Sequence, residues 1–458
     1  MISNKDRIMV IVMMTAAFTS SFSQNLLTSA LPSIMKDFSV DAITGQWLTT
    51  GYTLVMGVIT CISALLFSKY SVPRLELTAL FLFGAGCLGA FLAPTFSVLL
   101  VSRIIQACGA GMLTPMMQMS LLHIYPPERQ GEAMGLTGVV VGAAPAIAPA
   151  AAGILIDSFG WRSIFLTLFV LAVLATIAGS FTLRSLKEPH PEQVELWSLF
   201  LYASGFTLFM LGVDQLKKTS FRSMYTYIMF IAGIAVLTLF VRRQKMSVKP
   251  ILRVELLKYR SMSLGTSIIC IAYVLMMASS ILVPLYIQTV SGHSATLSGA
   301  IMVPGSALIA LISPVSGKIT DRAGSRIVII AGLITLAAGC GGYILFTEST
   351  GVFPVTLFYM LRSIGIALLI TACTTLAVRS LPLSCKPHAM ALLNSLRLMA
   401  GALFSAVIVL IAEELSSSGS IDIHGVHAAF TVMTATAAAG LILAVWLIPS
   451  AETEREAV

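Results

Sequence analysis

The sequence predicts an all-α polytopic membrane protein, and three observations support that fold class. First, 57% of the 458 residues are hydrophobic and 10% are charged, whereas about 25% of a soluble domain is charged. Second, apolar runs of about 20 residues, each long enough to cross a bilayer core, recur along the whole chain. Third, the basic residues fall in alternate loops, as orientation in a membrane requires.

The apolar runs predict fourteen membrane spans, and an even number places both termini on one side of the membrane. Loops on that side carry most of the lysine and arginine, including the segment 242–260, so we expect both termini in the cytoplasm. This distribution also accounts for the net charge of +8 without a nucleic-acid partner. The predicted spans are 8–31, 45–67, 75–93, 97–120, 132–155, 162–182, 196–214, 224–241, 262–288, 297–316, 327–347, 353–378, 389–412 and 427–449.

The chain repeats itself at an offset of about 250–260 residues, as transporters built from two similar halves do. Arg103 early in span four pairs with Arg362 early in span twelve, and the loop 64–74 pairs with the loop 317–326. Spans one to six therefore match spans nine to fourteen, with spans seven and eight left over. The predicted segments are a six-helix bundle in 1–190, two inserted helices in 191–245, and a linker with a second six-helix bundle in 246–458.

The fifth span contains small residues that recur every three or four positions. On a helix, this spacing puts them on one face and lets a neighbouring backbone approach closely. Two prolines free carbonyl groups and allow the helix to bend. We expect this face to be a close contact that helps two helix bundles rock against each other. Its residues are Gly138, Gly142, Pro145, Pro149 and Gly153.

The loop after span ten predicts a latch on the cytoplasmic side. Gly317 and Gly324 allow a tight turn. Between them, Asp321 can accept hydrogen bonds from a helix N-terminus or pair with a basic residue. Arg322 and Arg326 complete the motif. The alternative is an ordinary basic loop that only orients the protein in the membrane.

Arg103 lies several residues inside span four, and Gln106 follows one turn later. A membrane-buried arginine costs about 2.5 kcal/mol or more unless it faces a cavity or a partner. We therefore expect Arg103 to face a central cavity. The alternative is a side chain that extends to the membrane surface, and Arg362 and Arg397 raise the same alternative.

These motifs resemble those of the major facilitator superfamily, and in particular of its fourteen-helix drug:proton antiporter branch. The loop 317–326 resembles the superfamily signature GxxxDRxGxR. The stretch 103–111 is similar to the RxxQGxGAG pattern of span four, with Ala107 in place of one glycine. The stretch 138–153 is similar to the antiporter signature of span five, with alanines where glycine is usual at 144, 148 and 152.

The resemblance implies the major facilitator fold and a secondary active exporter in a bacterial plasma membrane. By alternating access, such a protein exchanges lipophilic drugs or toxic compounds, cationic ones among them, for protons. The implied partners are small lipophilic molecules, protons and the bilayer, with a monomeric chain and no nucleic acid. The proton gradient would serve instead of a cofactor, and seven cysteines without a CxxC pair predict no metal site.

Proton coupling needs a group that titrates as access alternates. Many members of the implied branch carry an acid in the first span, where this chain has Ser23. The first six spans show hardly any carboxylate at membrane depth. The coupling candidates are therefore Asp157 at the outer end of span five, Glu132 at its inner start, and Arg103. The alternative for Asp157 is a solvated acid at a helix end.

Residue type predicts the lining of a substrate cavity. Methionine and aromatic side chains form adaptable apolar walls, and buried amides need a partner or water. The alternative for each residue is ordinary helix packing. The candidates are Ser23, Gln24, Asn25, Trp47, Tyr52, Arg103, Gln106, Met112, Met116, Met117, Gln118, Asn394 and Arg397.

Three other functions compete with a drug exporter. A narrow-specificity exporter of one metabolite, lipid or anionic compound fits the same fold. A sensor or scaffold would not need the motifs of spans four and five. A membrane-embedded enzyme would need histidines or paired acids inside the membrane, and we therefore predict that the chain is not an enzyme. The histidines that lie near predicted loops are His123, His293, His388, His424 and His427.

Overall fold

The computed structural model describes residues 3–186, 195–219, 223–247, 250–416 and 421–448. In these ranges the chain forms fourteen long α-helices, one for each predicted span. Several extend beyond the apolar runs because they continue to capping residues, as at Ser3, whose hydroxyl accepts from the Asp6 N–H. The helices are α1 Asn4–Phe38, α2 Ala42–Lys69, α3 Val72–Phe91, α4 Phe96–Ile124, α5 Gln130–Phe159, α6 Arg162–Thr182, α7 Leu196–Thr219, α8 Met224–Met246, α9 Arg260–Leu285, α10 Ala295–Ala323, α11 Ser325–Gly342, α12 Val352–Arg379, α13 Lys386–Glu414 and α14 Ile423–Leu447.

Thirteen helices in the described part of the chain are long and apolar enough to cross a membrane. The remaining helix, α5, has 30 residues, which corresponds to about 45 Å and exceeds the bilayer core. It packs between α1 of one half and α10 of the other, so it lies among the spanning helices. The predicted fold class, an all-α polytopic membrane protein, is confirmed.

The helices form two bundles with the same internal packing. In the first, α1 packs against α4, α5 and α6, and α3 packs against α4 and α6. In the second, α9 packs against α12, α13 and α14, and α11 packs against α12 and α14. This correspondence is the spatial form of the sequence repeat. The exact bounds of the segments 1–190, 191–245 and 246–458 stay a prediction.

The two bundles meet through six of their helices. From the first bundle, α5 contacts α10 and α12, while α2 and α4 contact α13 of the second bundle. The inserted helices α7 and α8 pack against each other, and α7 also contacts α2 and α13. Where α7 meets α13, the Tyr202 hydroxyl donates a hydrogen bond to Oγ of Ser395 at 3.2 Å. The contacts of α5 and α13 therefore form the interface at which the bundles can move.

Candidate functional site

A carboxylate of the second bundle caps a helix of the first. Asp321, in the last turn of α10, accepts hydrogen bonds from the backbone N–H groups of Gly131 (2.8 Å) and Glu132 (2.9 Å). These groups lie in the first turn of α5, where N–H groups lack partners within the helix and the dipole is positive. The loop sequence allows either a helix N-terminus or a basic residue as the partner of Asp321, and the structure shows a helix N-terminus in the opposite bundle.

The turn after Asp321 holds the end of α10 in position. Gly324 has a φ of 87°, a left-handed conformation that favours glycine, and it separates α10 from α11 by one residue. Arg322 lies in the last turn of α10. Arg326 donates to the carbonyl oxygen of Val445 in α14 at 2.8 Å, which ties the start of α11 to its own bundle. The latch is thus attached to the second bundle on both sides.

Glycines of α5 bring its backbone directly against α10. A Cβ on Gly142 would lie 2.7 Å from the backbone nitrogen of Ala310, and a Cβ on Gly135 would lie 2.6 Å from the carbonyl oxygen of Ser313. A Cβ on Gly138 would meet the Ser313 side chain. In this conformation these positions tolerate no side chain, because the backbone on the other side cannot yield easily. We name these glycines of α5 the glycine seam: Gly131, Gly135, Gly138 and Gly142.

The small-residue face predicted in span five divides between two environments. Gly138 and Gly142 lie in the glycine seam. Gly317, predicted to allow the turn of the loop 317–326, lies instead inside α10, because the helix continues to Ala323, and it faces the seam from there. A Cβ on Gly153, by contrast, would have no atom within 4 Å. The close contact predicted at Gly153 is therefore wrong, because this position faces open space, although the adjacent Ala152 is buried. Pro145 and Pro149 lie in α5, and their side chains are outside the described ones.

Two amide side chains join the bundles in the buried interior. Asn394 of α13 donates from Nδ2 to Oε1 of Gln118 in α4 at 2.8 Å. Both side chains are buried. Residue type selects both as cavity candidates, and the structure bonds them to each other across the interface. This hydrogen bond is a second polar link that breaks when the bundles separate.

The paired amides lead to a prediction about coupling between the bundles. Gln118→Ala and Asn394→Ala each leave the other amide buried without this partner, so each variant lowers the population of the conformation described here. The double variant leaves neither amide, and we expect the two effects to be non-additive by about 0.5–1.5 kcal/mol. We call the conformation described here, with α5 and α10 in contact, the closed conformation. The distance between spin labels at Glu128 and Leu383, on facing connections of the two bundles, reports the fraction of molecules in this closed conformation. Strictly additive effects would contradict the proposed link.

Arg103 is fully buried in a polar cluster inside the first bundle. Its guanidinium donates from Nη1 to Oγ of Ser23 at 3.2 Å and to Oε1 of Gln106, and its Cζ lies 3.9 Å from the ring centroid of Tyr52. Gln106 donates from Nε2 to Ser23 (3.0 Å) and to Sγ of Cys87 (2.9 Å). Arg103 is 1% exposed, so neither an open cavity nor the membrane surface receives it in this conformation.

The arginine of this cluster has no carboxylate partner in the described structure. Its contacts are neutral groups, and Nε has no hydrogen-bond partner there. Ser23 stands at the position where the resemblance implies an acid, and its hydroxyl cannot take over the proton chemistry of a carboxyl group. The second bundle also buries its equivalent arginine, but with different partners: Arg362 has its Cζ 4.3 Å from the ring centroid of Tyr359 in its own helix and donates to Oγ of Ser363 at 3.3 Å.

Comparison with known proteins places this architecture in a family. The family model of the Major Facilitator Superfamily matches residues 13–406. The chain belongs to the major facilitator superfamily. It is 33% identical over 442 residues to YcnB, an uncharacterised MFS-type transporter of Bacillus subtilis, covering 95% of this chain and 94% of that protein.

Drug-resistance proteins are among the relatives of this superfamily member. The lincomycin resistance protein LmrB of Bacillus subtilis is 31% identical over 402 residues, covering 87% of this chain and 84% of that protein. The crystal structure of human MFSD10, an organic anion transporter, superposes with a TM-score of 0.69 at 13% identity, covering 96% and 100% of the two chains. That likeness concerns the fold alone. The chain is thus a multi-pass plasma-membrane transporter of small molecules, in a family of transporters rather than enzymes.

Several cavity candidates of this transporter belong neither to the Arg103 cluster nor to the Gln118–Asn394 pair. Asn25 donates to the carbonyl oxygen of Ser21 in its own helix at 2.8 Å. Arg397 has its Cζ 5.2 Å from the ring centroid of Tyr273. Gln24 and Trp47 are exposed, whereas the methionines are packed in the hydrophobic core. The core methionines are Met112, Met116 and Met117.

The acid that meets Trp161 and Arg162 is Asp37 rather than Asp157. Asp37 near the end of α1 accepts from Nε1 of Trp161 at 3.1 Å and from Nη1 of Arg162 at 2.8 Å. The Arg162 guanidinium, followed by the Trp161 indole, holds the pKa of Asp37 below its ordinary value. Asp157 is exposed. The burial that would suit it to proton coupling is therefore missing, and its coupling role stays a prediction.

Glu132 takes part in the latch that Asp321 forms with the start of α5, rather than in a buried proton site. Its carboxylate forms an ion pair with Arg129 at 2.6 Å, one turn away, while its backbone N–H binds Asp321. The hydrogen bonds that Arg129 donates to the Glu132 carboxylate are the main reason that the pKa of Arg129 lies above its ordinary value. The pair stiffens the start of α5, where the latch attaches.

A buried acid in α3 escaped the sequence-based selection. Glu76 is 0% exposed, and neither carboxylate oxygen has a hydrogen-bond partner in the described ranges. The expectation that the first six spans hold hardly any deep carboxylate is wrong at this position, because Glu76 lies inside the predicted span 75–93 and the helices packed against α3 bury it. Helical spacing offers a signal, since Glu76 shares one face with the buried residues Ala79, Phe83 and Cys87.

A basic vestibule lies between the α4–α5 connection and the α12–α13 connection. Its volume is about 750 Å³, and its lining residues include none of the predicted cavity residues. Arg129, Arg379 and Lys386 contribute positive charge, and Gln130 adds a buried amide. In this conformation the contact between α5 and α10 separates the vestibule from the Arg103 cluster and from the Gln118–Asn394 pair.

Proposed function

We propose that this transporter exports lipophilic compounds, cationic ones among them, in exchange for protons that move inward. The cycle alternates access to a site between the two bundles. The relative named for lincomycin resistance supports the export of drug-like compounds. The motifs of spans four, five and ten, which resemble the drug:proton antiporter branch, support the direction and the proton coupling.

The observation that carries the proposal is the join between α5 and α10. It consists of two hydrogen bonds to Asp321 and the glycine seam, without a covalent link. Backbone surfaces that pack closely but hold few polar bonds can separate and close again at a moderate cost in free energy. The join lies on the side of the basic loops, which the positive-inside rule assigns to the cytoplasm. Opening it would admit substrate from the cytoplasm, as export requires.

Energised inverted membrane vesicles test this proposal. Lincomycin and ethidium serve as probes, and vesicles from cells without the protein serve as the control. Addition of a probe is expected to dissipate part of a preformed pH gradient only when the transporter is present. A panel of lipophilic cations that leaves the gradient unchanged would overturn the drug:proton proposal.

Export of an anionic compound is a second candidate, favoured by the charge of the vestibule. Arg379 and Lys386 line the approach from the cytoplasm, whereas Arg129 in this lining is paired with Glu132 and the acid Asp6 is paired with Arg184. An anion would be concentrated at such an entrance. The same vesicles, loaded with a pH-sensitive dye, distinguish the two candidates. An anionic fluorophore is added in place of the cationic probes, and only the class of compound that the protein exchanges for protons is expected to change the pH gradient.

A further inference from the structure

We propose that Glu76 binds the proton that is coupled to export, in place of the first-span acid that this chain lacks. The inference rests on the proposed antiport function. It assigns to α3 a proton site that is loaded in the conformation described here, in which the cytoplasmic side of the interface is joined. The site releases its proton to the cytoplasm when that side opens.

The first argument is the burial of an acid without a partner. Glu76 is 0% exposed, and both of its carboxylate oxygens lack hydrogen-bond donors in the described part of the chain. An ionised carboxylate without a counter-charge or hydrogen bonds is strongly disfavoured in such surroundings. The group is therefore held as the neutral acid, with its proton on the carboxyl oxygen. A group that must be neutral when buried and can ionise when wet is what proton coupling requires.

The second argument is that Glu76 has no charged partner in the described structure: the charged groups of the surrounding helices are either exposed or in contact with other residues. α3 packs against α4, α6, α1 and α2, and α6 carries no titratable residue beyond Arg162 at its outer start. Lys5 and Arg7 lie exposed at the start of α1. At the same membrane side, Asp6 pairs with Arg184, Lys69 and Arg74 lie over the ring of Tyr70, and Nδ1 of His123 lies 2.8 Å from the Met119 carbonyl oxygen.

The third argument comes from the internal repeat. Arg74 and Arg326 occupy equivalent positions after equivalent loops, and the residues two positions later are Glu76 and Val328. Val328 is 3% exposed, so the second bundle fills this buried position with an apolar side chain. Packing alone therefore does not call for an acid. The first bundle holds a carboxyl group where its twin holds valine, and the difference is one of chemistry.

The position of Glu76 also suits exchange with the cytoplasm. It is the fifth residue of α3, about 6 Å along the axis from the start of the helix. α3 packs against α4, and α4 contacts α13 of the second bundle, so a separation of the bundles that moves α4 on this side leaves water a short distance from the carboxyl group. The step leaves a carboxylate on Glu76 and transfers its proton to water. For a net inward flow of protons, the carboxylate takes up its next proton from the outer side after the cytoplasmic side has closed.

The outer side is connected to Glu76 by the packed surface between α3 and α4. Glu76 and Cys87 lie on the same face of α3, three turns apart, and Cys87 accepts from Gln106 of the Arg103 cluster at 2.9 Å. Gly86 and Gly109 bring the two helices into close backbone contact along this surface. The residues between Glu76 and Cys87 on this face, Ala79 and Phe83, are apolar, so transfer of a proton from the polar cluster to Glu76 requires water to enter this surface when the outer side is open.

Infrared difference spectroscopy of the purified transporter tests the proton site without any substrate. The wild type at neutral pH should show the carbonyl band of a neutral carboxylic acid, and Glu76→Gln should lose it. Glu128→Gln, which changes an exposed acid on the same side of the membrane, should keep the band. A band that is unchanged in Glu76→Gln would overturn the inference.

Transport by proteoliposomes then tests the coupling. Lincomycin and ethidium are the probes. Glu76→Gln, which keeps the size of the side chain, should lose accumulation driven by a pH gradient but retain exchange of labelled for unlabelled probe. A structural role would lower both activities together. If the wild type moves neither probe, the proposed function fails while the infrared result still decides the proton site; if Glu76→Gln accumulates probe like the wild type, the coupling role is wrong.

Discussion

Gly142→Leu is expected to abolish export, because the closed interface between α5 and α10 has no space for a side chain. A Cβ at Gly142 already lies 2.7 Å from the backbone nitrogen of Ala310 and from Cγ2 of Ile309. Overfilling a packed contact costs about 1–3 kcal/mol, which lowers the population of the closed conformation by about 5- to 150-fold. The variant should therefore remain open on the cytoplasmic side. Probe uptake into inverted vesicles and the spin-label distance between Glu128 and Leu383 measure the two consequences.

The same helix provides a matched control for this substitution. Gly153→Leu introduces the same side chain where a Cβ would meet no atom within 4 Å. We expect it to retain export and the short spin-label distance. Equal loss of export in both variants would show that α5 tolerates no added side chain anywhere, and the argument from the glycine seam would then fail. Normal export by Gly142→Leu would contradict it directly.

Asp321→Ala is expected to open the cytoplasmic side by removing the latch. The substitution removes two hydrogen bonds to a charged acceptor, each worth about 1.5–3 kcal/mol, and leaves the N–H groups of Gly131 and Glu132 without that partner. The closed fraction should fall by about tenfold or more, and export should fall with it. Asp321→Asn, which keeps a carbonyl acceptor without the charge, should give an intermediate effect. Spin-label distances and probe uptake again measure the outcome.

Asp41→Ala is the control for the loss of a capping carboxylate as such. Asp41 accepts from the backbone N–H of Thr44 at 3.1 Å and caps α2 within its own bundle, at the opposite side of the membrane. Its loss should lower thermal stability, since a cap is worth about 0.5–2 kcal/mol, without changing the closed fraction. A closed fraction that responds equally to Asp41→Ala and Asp321→Ala would remove the special role of the link between bundles.

The sequence predicts more of the Asp321 latch than of the proton-coupling site. A tight loop with Gly317, Asp321 and Gly324 specifies a carboxylate next to a helix end, because these residue types have a strong local preference. Local preference does not say which helix receives the carboxylate. That choice depends on the docking of two bundles whose contacting residues are separated by nearly two hundred positions. The structure assigns it to α5.

Buried polar residues show the same division. The position of Arg103 inside an apolar run predicts that it needs a partner, and the repeat predicts a twin at Arg362. Ser23, Tyr52 and Gln106 could be selected by type, but their union in one cluster depends on how four helices pack. Gln118 and Asn394 were selected as cavity lining, and packing brings them together as a bond between bundles.

By itself, the sequence determined the fourteen helices, the internal repeat and the family, because these follow from composition and from the order of residues along the chain, while the cytoplasmic assignment of the basic loops stays a prediction. Only the tertiary structure decided which acids are buried. It placed Asp37 against Trp161 and Arg162, left Asp157 exposed and enclosed Glu76. The physical reason is that periodicity assigns a residue to a face of its helix, whereas burial and protonation depend on the neighbours that cover that face.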